Sequence, residues 1–221
     1  MSIFSIKFCR LPIICIIFGL LILMFVELDR RAYDSYIFNN SSSKIEIIES
    51  ISPSKEFIII SHGFAGSKEM MKQIAYDVAN AGSNAVLFDF IGHGSNEQKL
   101  INQPTEITGT TQQLVAQLSK IINSIHGKFG DDISISLIGH SMASDIVIRA
   151  SANNRIKSVV AISPYSTGIT RDFPEDLLLI SGQFENHLRS HALKMINSFK
   201  PGAQENTEYR AENIRRKASF I

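Results

Sequence analysis

Cysteine is nearly absent from this chain. Of 221 residues only Cys9 and Cys15 carry a thiol, and both fall in the first apolar stretch. The remainder therefore has no thiol for a disulfide, a thiolate metal site or a cysteine nucleophile. Excess charge is missing as well: 22 Lys and Arg stand against 21 Asp and Glu, a formal net charge of +1. The basic residues are scattered and form no stripe, which argues against a phosphate-backbone binder, so no nucleic-acid partner is expected. Internal repeats and low-complexity tracts are lacking, apart from one short Asn/Ser run. What is present is 44% hydrophobic content in a length that builds one substantial core, so a single globular domain is expected.

Residues 11–26, LPIICIIFGLLILMFV, hold no charge; Lys7 and Arg10 precede them, and Glu27, Asp29, Arg30 and Arg31 follow. Sixteen apolar residues around a whole helix leave no polar face for water, which points to a membrane segment over a buried core helix. The run is about 24 Å long as a helix, somewhat short of the hydrocarbon core, with Arg10 placed to snorkel. After Val26 the chain reads ELDRRAYDSY, without the small residues of a cleavage site, so an uncleaved anchor is expected. Ile14 stands before Cys15 where lipidation needs a small residue. The flanking positive charges nearly balance, and the expectation is a single-pass protein with its domain outside the cytoplasm. The expected layout is an anchor over 1–28, a spacer over 29–43 ending in NNSSS, and a domain over 44–221.

From residue 44 short apolar runs alternate with longer amphipathic stretches. KIEIIES and EFIIIS lead to a helical pattern over 68–81, then NAVLFDF and a helical pattern over 108–126. DISISLIG, a helical pattern over 142–153, IKSVVAIS, DLLLIS and a helical pattern over 188–199 follow. Runs such as FIIIS, VLFDF, SVVAIS and LLLIS are continuously apolar and rich in β-branched residues, as strands are when helices cover both faces of a parallel sheet. The architecture expected is α/β.

Three motifs carry chemistry. GHSMA, residues 139–143, lies directly after the strand ISLI and directly before a helical run, the setting of a nucleophile elbow. A sharp strand-to-helix turn lifts the Ser141 hydroxyl above the sheet, and the small Gly139 and Ala143 let that turn close. The N–H of Met142, at the helix start, then points where a tetrahedral intermediate turns negative. A purely structural turn is the competing reading of five residues taken alone. SHGF, residues 61–64, follows EFIII; DFIGHG, residues 89–94, follows AVLF.

Three such motifs in this order, each at the C-terminal end of a strand, resemble the α/β-hydrolase superfamily over roughly residues 44–200. GHSMA departs from the superfamily's Gly-x-Ser-x-Gly in its last position, where Ala adds one methyl. The resemblance implies that Ser141 attacks a carbonyl carbon and forms an acyl-enzyme that water hydrolyses. It implies that Phe64, after His-Gly, is an oxyanion donor beside Met142, that His62 and Gly63 shape the turn, and that His93 is structural. The acid follows the strand DLLLIS in a G-x-x-D position, held here by Glu185 of GQFE, with Asp172 as runner-up. No metal or organic cofactor is implied; the partner is a small-molecule acyl substrate, a carboxylic ester in the first place.

The resemblance places the histidine after one further strand. After Phe199 this chain reads KPGAQENTEYRAENIRRKASFI, with no histidine and no strand-like run. His62, His93, His126, His140 and His191 have structural or helical placements, which leaves His187 as the candidate base. Two function classes follow: a membrane-tethered carboxylic-ester hydrolase, or a catalytically incomplete or C-terminally shortened member of the same fold with a binding role. Acyl transfer or peracid formation would use the same serine.

Overall fold

The computed structural model describes residues 10–30, 33–40, 43–100, 107–152, 155–165, 176–182, 184–199, 208–210 and 217–220. The chain divides into two units, Met1–Asp34 and Ser35–Ile221. The first is built on one helix, α1 (Arg10–Arg30). Its apolar side chains are open on every face, from Val26 at 45% exposed to Phe25 at 72%. Among the residues whose side chains are described, no helix is long and apolar enough to cross a membrane. In α1 those residues are 12–28, about 25 Å of helix.

The second unit begins with a hairpin of β1 (Ser35–Asn39) and β2 (Lys44–Ile48), followed by β3 (Glu56–Ser61), a 3-10 turn (Lys68–Met71) and α2 (Lys72–Asn80). Next come β4 (Asn84–Phe88), α3 (Ile107–Phe129), β5 (Ser134–His140), α4 (Met142–Ser151) and β6 (Ser158–Ile162). β7 (Asp176–Ile180), α5 (Asn186–Phe199), β8 (Glu208–Arg210) and β9 (Lys217–Phe220) complete it. The nine strands among the described residues join one sheet in the order β1-β2-β4-β3-β5-β6-β7-β9-β8. The interior pairings, β4 with β3, β3 with β5, β5 with β6, β6 with β7 and β7 with β9, are parallel; β1–β2, β2–β4 and β8–β9 are antiparallel.

Alternation along the strands divides the core between the two faces of the sheet. Phe57, Ile59, Val86, Phe88, Ile135 and Leu137 share one apolar cluster with α3, α4 and α5, through residues such as Leu118, Ile121, Val147 and Met195. Ile60, Ala85 and Leu87 are equally buried but stand outside that cluster, and α2 contributes the buried Ala75 and Ala79 beside β4. Both faces of the interior strands are thus covered, which is why β4 is buried at all five positions.

Two expectations need correction. Residues 29–43 are not all spacer, because residues 35–39 form the edge strand β1, paired with β2 from Ser35↔Ile48 to Asn39↔Lys44. Its half-buried pattern is that of an edge, and the Lys128 ammonium on α3 lies 5.3 Å and 4.9 Å from the Tyr36 and Phe38 ring centroids. The stretch after Phe199 is not without strands either: β9 runs parallel to β7 in the register Asp176↔Lys217 to Leu179↔Phe220, and β8 pairs against it. Four residues reading KASF carry too little apolar pattern to announce a strand; the open edge of β7 supplies the pairing that makes them one.

Candidate active site

The parallel registers bring Ser61 beside Gly139, His140 beside Ile162, and Ile162 beside Ile180, so the C-terminal ends of β3, β5, β6 and β7 form one rim. Ser141 stands on it between β5 and α4 with φ 53° and ψ −116°. A non-glycine residue at positive φ stores strain that its surroundings must hold. Here the Ser141 N–H donates to the Ile162 carbonyl at 2.9 Å, and its carbonyl accepts from Ser144 N–H at 2.9 Å and from the buried Ser144 hydroxyl at 2.6 Å. Met142 opens α4, so its N–H has no carbonyl one turn back to bond.

The turn after β3 lies directly against this elbow. A β-carbon on Gly63 would stand 3.2 Å from Ser141 Cβ and 3.2 Å from His140 Nδ1. Gly66 N–H donates to Gly63 O at 3.1 Å and Ala65 takes φ 54°, closing a turn that leaves Phe64 N–H outside its bond. His62 pins the turn from beneath. Its Nε2 accepts from Phe90 N–H at 3.1 Å, so Nδ1 carries the proton and donates to Gly63 O at 2.8 Å. Burial, the largest influence, holds His62 below the ordinary imidazole value; the Gly63 carbonyl and the Asp89 charge pull upward without cancelling it.

Asp89, at the end of β4, ties the neighbouring turns together. Its carboxylate accepts from Lys68 N–H at 2.7 Å, Ser95 N–H at 2.9 Å and the Ser95 hydroxyl at 2.8 Å. Burial alone would raise this carboxyl, but these donors and the nearby His62 outweigh it and hold the group below the ordinary carboxylate range. Gly94, at φ 52°, packs so tightly here that a β-carbon would stand 2.7 Å from Asp89 Oδ2 and closer to Oδ1. His93 is buried and donates from Nδ1 to Ile91 O at 3.0 Å, the structural place expected of it.

In front of Ser141 opens a cavity of about 370 Å³ walled by Thr111, Met142, Asp145, Ile146, Tyr165 and Leu188. A volume of this order suits a small apolar ligand with a few polar contacts. A larger cavity, about 550 Å³, lies at the other end of the sheet around Tyr36, Phe57, Asn84 and Phe129. No elbow or strained serine adjoins it.

The remaining sequence candidates are placed as follows. Glu185 accepts from the Ser163 hydroxyl with both carboxylate oxygens, at 2.9 and 3.0 Å, and from Gly182 N–H at 2.7 Å. It is thereby fixed across the ends of β6 and β7. His187 does not line the cavity; its ring lies 4.7 Å from that of His191 and 6.3 Å from that of Tyr165. Among the described residues no hydrogen bond joins a histidine to Ser141 or to Glu185. His126 lies in the last turn of α3, 3.9 Å from Asp131. Asp172 falls outside the described residues. Reasoning from sequence missed Tyr165 and Asp145 in the cavity wall and Ser163 beneath Glu185. Ser163 alone left a trace, because a polar residue directly after a strand, SVVAIS, marks a strand end facing the rim.

An α/β sheet of this strand order, with a serine on a strained turn after its central parallel strand, defines an α/β hydrolase. The chain belongs to the family described as Serine aminopeptidase, S33, whose model matches residues 52–219. No curated protein matches it in sequence. Among solved structures, dienelactone hydrolase from Anabaena variabilis is similar with a TM-score of 0.60 at 14% identity, covering 75% of this chain and 81% of that one. A Thermus thermophilus protein gives 0.62 at 15% identity over 85% and 88% of the two chains. A Pyrococcus furiosus esterase gives 0.53 at 18% identity over 67% and 70%. At such identities the likeness speaks for the fold alone.

Proposed function

We propose that this hydrolase cleaves a carboxylic ester or related acyl substrate through an acyl-enzyme on Ser141. The observation that carries the proposal is the approach of the Gly63 turn to the strained Ser141, which itself lines the cavity. A substrate carbonyl in that cavity has its oxygen between Phe64 N–H and Met142 N–H, two donors fixed before the charge develops. Glu185 serves as the acid and His187 as the base. The adjacency of His187 to Tyr165 on the cavity wall supports the choice, although the base must swing toward Ser141 before it accepts a proton, since catalytic hydrogen bonds often tighten only around substrate.

A second reading, a catalytically incomplete member with a binding role, is favoured by one observation: no described histidine reaches Ser141. Hydrolysis of p-nitrophenyl esters by the 221-residue chain, by Ser141→Ala and by His187→Ala separates the two. Loss of turnover in both variants supports the first reading. Turnover that is slow and insensitive to His187→Ala supports the second, because an oxyanion hole without its base retains roughly 10³–10⁴ over water.

The helix α1 is proposed to anchor the protein in a membrane as a single pass, through residues 11–26, with the catalytic unit outside the cytoplasm. Support comes from its uncovered apolar side chains, Leu23 at 66% and Phe25 at 72% exposed among them.

A further inference from the structure

His187 and His191 lie one turn apart on α5, an i and i+4 pair that shares a face of the helix. Their rings have centroids 4.7 Å apart at an interplanar angle of 74°. His187 is exposed and His191 half-buried, and no hydrogen bond from either ring to a described residue is present. The other close pair of imidazoles, His62 and His93 at 5.4 Å, is buried, and each spends Nδ1 on a backbone carbonyl. In the α5 pair, by contrast, neither ring is tied to a backbone carbonyl among the described residues, and both retain access to solvent.

We propose that His187 and His191 form a binding site for a late first-row divalent cation such as Zn²⁺ or Ni²⁺, at the edge of the Ser141 cavity. Two neutral imidazoles suit these borderline ions and discriminate against Mg²⁺ and Ca²⁺, which want oxygen. A nitrogen–metal distance of about 2.0–2.1 Å on each side is reached by small rotations about the side-chain bonds of two rings already in contact. Among the described residues no third His, Cys, Asp or Glu converges on the pair, so water completes the coordination and the ion exchanges readily. The N-terminal turn of α5 and the Lys194 charge near His191 disfavour a cation, and the Glu185 carboxylate immediately before the helix acts in the opposite sense.

The site shares a wall with the cavity. Tyr165 lines the cavity and its ring lies 4.7 Å from that of His191, so a bound ion stiffens that wall and withdraws His187 from any proton transfer. This inhibitory consequence rests on the acyl-enzyme reading above; the binding itself does not.

Isothermal titration of the full 221-residue chain in detergent with Ni²⁺, Zn²⁺ and Mg²⁺ tests the site without reference to catalysis. One Ni²⁺ or Zn²⁺ per chain with micromolar affinity is expected, and none for Mg²⁺. His187→Ala and His191→Ala should each weaken binding by about tenfold or more. The double change His191→Ala with Lys194→His keeps two histidines on α5 but sets them two turns apart, and should bind as weakly as His191→Ala. Circular dichroism without metal checks that each variant folds, and the exposed His187 provides a usable variant if His191→Ala does not. Wild-type affinity in His187→Ala, or in the displaced-histidine variant, overturns the proposal, as does a wild-type chain that binds neither ion. Binding with unaltered esterase activity would leave the metal site standing and count against His187 as base.

Discussion

Gly139 and Ala143 face each other across the elbow at a distance that admits no side chain on the strand. A β-carbon on Gly139 would stand 2.7 Å from the Ala143 carbonyl carbon, nearer still to its oxygen, and 2.7 Å from Val147 Cγ2. The methyl of Ala143 is itself fully buried in the core cluster. The elbow thus tolerates Ala on the helix side because the steric limit lies at Gly139. Gly139→Ala is expected to cost about 1–3 kcal/mol and to disturb Ser141. Gly127→Ala, inside α3 with nothing within 4 Å of the added carbon, should instead stabilise by about 0.5–1 kcal/mol. Urea midpoints of both variants check the contrast, and equal effects would contradict it.

The lowered value of His62 gives folding a pH dependence. Its neutral form is built into the turn, whereas the unfolded chain takes up a proton near the ordinary imidazole value of about 6.5. Its contribution is fully present above that value and is lost as pH falls through the lower folded value. His62→Gln, which cannot titrate, should lose less stability than the wild type between pH 7.5 and pH 5, measured as urea midpoints. Parallel losses in both proteins would contradict the neutral tautomer deduced from Phe90 N–H.

Asp89 acts in a more acidic window. Being held below the ordinary carboxylate range, it stabilises the fold above about pH 3.9, and that contribution disappears as pH falls through its folded value. Asp89→Ala strands the N–H groups of Lys68 and Ser95, a loss on the order of 3 kcal/mol at neutral pH, and should flatten the acid limb of the stability curve. Acid titrations followed by circular dichroism report both effects, and an unaltered acid limb would remove Asp89 from this role.

Membrane attachment through residues 1–28 should survive high salt and alkaline carbonate, because burial of apolar side chains is insensitive to ionic screening. Detergent should be required for release, and a chain starting after residue 28 should fractionate with soluble protein. Release of the full chain by carbonate alone would refute the anchor.

Much of this was legible in the sequence where the cause is local or buried. β3, β4, β6 and β7 read as strands because continuous apolar runs are what a two-sided sheet requires, and GHSMA read as an elbow because the turn's steric demands fall within five residues. β1 escaped because YIFN is short, polar at its ends and only half-buried, so tertiary pairing and the Lys128 contact decide it. β9 escaped because KASF is short and weakly apolar, so its pairing with β7 decides it. Tyr165 has no periodic signature: it reaches the cavity wall because its N–H donates to Ser144 Oγ at 3.1 Å, fastening the loop after β6 to the elbow. His187 stands out in the sequence only by elimination along the chain, and no one-dimensional pattern tells that its ring meets that of His191 edge to face.

The central claim is that Ser141 is a nucleophile, and covalent capture tests it most directly. The chain should be incubated with a fluorophosphonate probe, and the adduct located by mass spectrometry of its peptides, alongside Ser141→Ala. The elbow, the start of α4 and the two backbone donors activate one serine among many, so the account predicts a single adduct on Ser141 and none in the variant. An adduct on another serine, or equal labelling of Ser141→Ala, would contradict it.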